Sequence, residues 1–168
     1  DCRRNNIDPK FISVSPGTST SYTDVMTEQE GGRRTFFHNR GANATWDGSE
    51  IDFTASSARI FHLGYLLLLD AIDQDEPEYG TVGAALLAKA RAVGMKTSID
   101  VVSEDSDRFA KIISPALKQV DYCILNEVEG SKVTGVQVRE NGKLLTDGIE
   151  EIATKLFELG VGELIAIH

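Results

Sequence analysis

The chain has 168 residues, 41% of them hydrophobic and 7% aromatic, and its 26 acidic against 17 basic side chains give a formal net charge of −9. That composition supports one packed domain with room for a small appendage and argues against disorder. The acidic balance, with no basic cluster larger than Arg3-Arg4 or Arg33-Arg34, argues against nucleic acid as the main partner.

No apolar run approaches the roughly 20 residues of a membrane span, and Asp1 to Asn6 lacks the apolar core of a signal peptide. The expectation is a cytoplasmic protein without membrane association. Cys2 and Cys123 lack Cys-x-x-Cys spacing, so neither a disulfide framework nor a zinc site is indicated. Residues 1 to 10 read as the end of a truncated helix and a linker, with Asn6-Ile7-Asp8-Pro9 as the exit.

Residues 11 to 44 are rich in Thr, Val, Tyr and Phe. Phe11 to Ser15, Thr20 to Gln29 and Arg33 to Asn39 read as antiparallel strands, punctuated by Pro16-Gly17 and Glu30-Gly31-Gly32. So small a sheet, polar on much of both faces, needs a larger domain, a ligand or a second copy to lean on.

From Ala44 onward strand and helix alternate. Arg59 to Leu63 reads as a strand, a long loop follows, and a helix runs from about Thr81 to Val93 with Gly94 as its C-cap. Lys96 to Val102 is the next strand, and Phe109, Ile112, Ile113, Ala116 and Leu117 recur at helical spacing despite Pro115. Asp121 to Leu125 is a buried strand running into a helix that ends near Gly135; a turn is expected at Asn141-Gly142. An amphipathic helix carrying Ile149, Ile152, Leu156 and Phe157 stops at Gly160, before a last strand, Leu164 to Ile167. Strands separated by helices imply an α/β fold with a doubly wound, mainly parallel sheet.

In such a sheet the carboxyl ends of the strands share one rim, where ligands bind. That rim would gather Gly64-Tyr65, Asp100, Asn126 with Glu129, and His168. Asn126 and Glu129 admit two readings. They form a capping box without chemistry, or they organise a hydrated Mg²⁺ near phosphate oxygens, Glu129 acting through water. Asp100 is either a cap or a member of the same phosphate and Mg²⁺ group. His62 reads as a hydrogen-bonded core histidine, His38 as solvated, and Cys123 as a small core residue. There is no Gly-x-Gly-x-x-Gly after a strand and no Gly-x-x-x-x-Gly-Lys-Ser/Thr, so neither a dinucleotide fingerprint nor a P-loop is present.

Thr20-Ser21-Tyr22-Thr23, the run Gly32 to Ala44, Phe61-His62-Leu63-Gly64-Tyr65 and Leu125-Asn126-Glu127-Val128-Glu129 together resemble the ribokinase, or PfkB, family of carbohydrate kinases. The last stretch is similar to that family's Asn-x-x-Glu motif, associated with Mg²⁺ and phosphates. The resemblance implies a ribokinase-like core at 45–168 covered by a β lid at 11–44, and ATP as co-substrate in phosphorylation of a sugar hydroxyl. It makes Tyr22, Phe37 and Asn39 candidate sugar contacts, puts Asn43 and Gly64 at the pocket rim, and suggests a homodimer formed through the lid. The family's glycine-rich sugar-binding segment would lie ahead of Asp1. Its Gly-Ala-Gly-Asp motif, with the catalytic base, would lie beyond His168, so the 168 residues alone are expected to be inactive. Two other classes remain: a kinase-like binding or regulatory protein, and a nicotinamide-dependent oxidoreductase domain.

Overall fold

The computed structural model describes residues 2–104, 106–140 and 143–168. A single 3₁₀ turn, Arg3–Asn5, opens it, and Asn6 leaves that turn in the left-handed conformation. Residues 11–15 run as coil rather than strand. β propensity measures the fit of a side chain to a pleated, half-buried surface; Phe11, Ile12 and Val14 are exposed and lie on no such surface. Strands β1 (Tyr22–Thr27) and β2 (Arg34–Asn39) form an antiparallel pair. All of their residues are exposed.

The body of the chain is built from β3 (Ile60–Leu66), a small hairpin of β4 (Asp75–Glu76) and β5 (Gly80–Thr81), α1 (Val82–Ala92), β6 (Lys96–Val101), α2 (Phe109–Leu117), β7 (Tyr122–Leu125) and α3 (Glu127–Thr134). After it come the paired β8 (Arg139–Glu140) and β9 (Lys143–Leu144), α4 (Thr146–Glu158) and β10 (Leu164–Ile167). The turn expected at Asn141-Gly142 lies outside the described residues.

Strands β10, β7, β6 and β3 lie side by side in that order, all parallel. Each step in sequence moves across the sheet in the same direction. Right-handed crossovers therefore place their helices on one face. The second helix layer of a doubly wound sheet requires a reversal of strand order, which the described strands do not contain. Leu63, Ile99, Val101, Cys123 and Leu125 fill the covered face against Leu87, Ile112, Ile113, Ile152 and Leu156. Each such side chain contributes about 1.5–3 kcal/mol on burial. The other face carries His62, Gly64, Asp100 and Ile124 and is more open. His62 is thus hydrogen-bonded as expected, to Ser98 at 3.0 Å, but exposed rather than in the core.

Gly94, at φ 87°, turns the chain after α1 as the sequence implies. Thr81, read as the first helical residue, instead caps α1, its hydroxyl accepting from the Ala84 N–H. Pro115 lies inside α2, in its last turn, where it forgoes one i→i−4 hydrogen bond, with its ring against Gly80, where an added Cβ would lie 3.1 Å away. The covered face of the sheet outweighs the lost hydrogen bond.

Candidate functional site

Because the strands are parallel, their carboxyl ends do share one rim. Asp100 pairs with Ile124 and Ile167 with Leu125, and the His168 N–H donates to the Leu125 carbonyl at 3.1 Å. On β3 a Cβ added to Gly64 would lie 3.0 Å from Nε2 of His62 and 3.8 Å from Cβ of Asp100. A side chain at Gly64 would press on the His62 ring, so glycine keeps the backbone there uncrowded. Gly64, Asp100, Asn126 with Glu129, and His168 therefore occupy the same edge.

At the head of α3 the capping box is complete. The Asn126 side chain accepts from the N–H groups of Val128 and Glu129 at 3.0 and 2.9 Å, and Glu129 Oε2 accepts from the Asn126 N–H at 2.9 Å. Glu129 Oε1 accepts from the Ser103 hydroxyl at 2.8 Å, and Asn126 Nδ2 donates to Ser103 at 3.1 Å. Both carboxylate oxygens are engaged and the residue is buried, at 4% exposure. Burial pushes the neighbouring Cys123 thiol up to about 12, with the Asp100 and Glu129 carboxylates adding to the effect. Among the described residues no group of three or more His, Cys, Asp or Glu side chains is arranged to hold a metal ion.

The β1–β2 pair stands over the carboxyl end of β3. Tyr22, Asn43 and Gly64 line one cavity of about 250 Å³ together with His38, Tyr65 and Leu68. Phe37 and Asn39 do not line it. Asn39 instead accepts from the Gly41 N–H at 2.9 Å, and Phe37 is exposed. His38, exposed as expected, pairs with the Thr23 hydroxyl at 2.7 Å and reaches the cavity, which composition alone did not signal. The β1–β2 register, which sets Thr23 opposite His38, is what brings it there. A larger cavity of about 680 Å³ lies at the amino ends of the strands, by Arg59, Lys96 and Tyr122. Volume does not choose between the two; in parallel sheets ligands bind at the carboxyl ends.

Ser103 was legible by the same rule that found Asp100, since it follows the end of β6 at the same rim. Arg108 and Asp73, which tie the loops there, carry no sequence signal of their own.

Residues 1–165 match the pfkB family carbohydrate kinase model. The chain belongs to the PfkB family of carbohydrate kinases. Solved structures resemble it at low identity. A crystal structure of Sa239 superposes with a TM-score of 0.71 at 16% identity, covering 99% of this chain and 49% of that one. A ribokinase from Giardia lamblia gives 0.69 at 15%, covering 99% and 48%. An Arabidopsis thaliana ribokinase complexed with ribose and ATP gives 0.63 at 20%, covering 90% and 43%. The PfkB chain thus spans about half the length of these structures. No curated protein matches it significantly in sequence. No helix among the described residues is long and apolar enough to cross a membrane.

Proposed function

We propose that the chain is the lid and part of the core of an ATP-dependent kinase that phosphorylates a hydroxyl of a sugar or sugar derivative. The observation that carries this reading is that the cavity under β1 and β2 opens on the same strand rim as Asn126, Glu129 and Asp100. The ribose and ATP bound to the Arabidopsis ribokinase make a sugar and ATP the ligands to expect. In this reading residues 11–44 form the lid and 45–168 the partial core. Tyr22, Asn43 and Gly64 contact the sugar, and a lid above them excludes the water that would otherwise compete for the phosphoryl group.

At the other end of the transfer, Asn126 fixes the first turn of α3, whose positive dipole end favours anions. Glu129 and Asp100 supply negative charge to a hydrated Mg²⁺. That ion would offset the charge of the transferring phosphoryl group, with Glu129 acting through water because its oxygens are already engaged. Phe37 and Asn39 lie outside the cavity; Phe36, Phe37 and Met26 remain exposed on a pair that buries nothing of its own. They suit a homodimer formed through the lid.

A panel of monosaccharides tested for thermal stabilisation of the full-length protein, with and without a non-hydrolysable ATP analogue, tests the reading. One sugar should raise Tm and the same sugar should support ADP release from ATP. Stabilisation without ADP release favours a binding protein instead, and no stabilisation by any sugar overturns the reading.

A further inference from the structure

The segment 65–69, the end of β3 and the turn after it, supplies one wall of the cavity through Tyr65, Leu68 and Leu69. At its centre Leu67 adopts φ 80°. A non-glycine residue there carries strain on the order of 1–3 kcal/mol. Glycine would relieve it, but the Leu67 side chain is fully buried and belongs to the core. The backbone is held in this conformation from both sides. The Leu67 N–H donates to Asp73 Oδ1 at 3.1 Å, and the Leu67 carbonyl accepts from Arg108 Nη2 at 2.8 Å. Arg108 and Asp73 face each other, with Nη1 to Oδ2 at 3.6 Å, and that buried Oδ2 has no hydrogen-bond partner. The ring closes on itself: amide, carboxylate, guanidinium, carbonyl.

Arg108 is in turn fixed by Glu104, whose two oxygens lie 2.9 and 3.0 Å from Nη2. The Glu104 carbonyl accepts from Lys132 on α3, and its neighbour Ser103 bonds Asn126 and Glu129. On the other side Asp70, just after this segment, pairs with Arg40 at the foot of the lid. The stretch from Tyr65 to Asp70 therefore links the lid, the cavity wall and, through Arg108, the head of α3.

We propose that Arg108 and Asp73 are a positioning pair that locks the segment 65–69 at the end of β3 and so fixes the sugar-side wall of the cavity. The word sugar rests on the kinase reading above; the lock itself does not. Neither residue touches the cavity, so their effect passes through Leu67 to Tyr65 and Leu68.

The test uses Arg108→Lys, which keeps the charge and loses the fork, and Asp73→Asn, which keeps the shape and presents an amide to Arg108. Two measurements are made on the full-length protein. In amide hydrogen exchange, residues 65–69 of both variants should exchange about tenfold faster, the equivalent of one charge-assisted hydrogen bond, with β6 and β7 unchanged. In steady-state kinetics, the sugar KM should rise by about the same factor while the ATP KM stays within about twofold. Exchange that is unchanged at 65–69, or faster across the whole chain, overturns the lock. A local exchange effect with equal changes in both KM values overturns its assignment to the sugar side. If the unsubstituted protein phosphorylates no sugar, the kinase reading fails and the exchange data alone decide the lock.

Discussion

Glu129→Gln separates a helix cap from a phosphate-organising carboxylate, because it alters the charge and keeps the shape. In the structure Glu129 Oε2 holds the Asn126 N–H and Oε1 holds the Ser103 hydroxyl, at 2.9 and 2.8 Å. Glutamine keeps the first bond through its carbonyl. Its amide would then donate to Ser103, whose own hydroxyl proton must turn elsewhere. Two charge-assisted bonds become neutral ones, at a cost of about 1–2 kcal/mol. Part of this is returned because a buried carboxylate no longer has to be desolvated. The net loss is about 1 kcal/mol, or roughly 2–4 °C in Tm for a domain of this size. Loss of a charge that acts on the transferring phosphoryl group is larger, about a hundredfold in kcat, which is about 2.7 kcal/mol. The assay is ADP release by the full-length protein with sugar, ATP and Mg²⁺ saturating, alongside thermal unfolding. The reasoning predicts a kcat reduced about a hundredfold, a sugar KM within about twofold, and a small drop in Tm. A kcat within about twofold of the parent at saturating Mg²⁺ would refute it and leave Glu129 as a helix cap.

Two further outcomes follow from charges the fold places. Burial works to push the Asp121 carboxyl up, but the Thr97 N–H at 2.9 Å and the Lys96 ammonium at 3.2 Å outweigh it and hold the group below its ordinary value. Below the ordinary carboxylate range of about 4 the folded chain then binds fewer protons than the unfolded one, so stability is full above that range and falls as pH drops through the lowered pKa. Urea midpoints measured from pH 6 to 3 should fall more steeply for the parent than for Asp121→Asn, and equal slopes would contradict this role. Cys123, with its thiol pushed up to about 12 by burial, should resist a thiol reagent at pH 8 in the native protein and react once urea unfolds it. Rapid native labelling of Cys123, located by peptide mapping, would show that the sheet opens there.

The Proposed function and the lock at Leu67 meet at the rim, and their legibility in the sequence differs. Asn126 and Glu129 were readable because a strand signal runs directly into a helix start. Their two roles were not separable, since a cap and a phosphate site begin with the same residue types. Gly64 was readable as the end of an apolar strand, while its reason, the closeness of His62 and Asp100, depends on strands pairing across the sheet. Tyr22 and Asn43 reach the cavity and Phe37 and Asn39 do not; a strand pattern fixes which residues alternate, but the tilt of a small two-stranded sheet is set by what it leans on.

By itself the sequence determined the periodic parts of this protein: the four parallel strands, the helices between them, the helix end at Gly94 and the helix start at Asn126, and the common rim that a parallel order dictates. These are set by local propensity and by alternation of apolar residues, which a chain carries in its own order. Only the tertiary structure decided the coil at 11–15, the open sheet face that exposes His62, and the ring of Leu67, Asp73 and Arg108. Each of these depends on how segments far apart in sequence pack against one another, and no spacing along the chain encodes that.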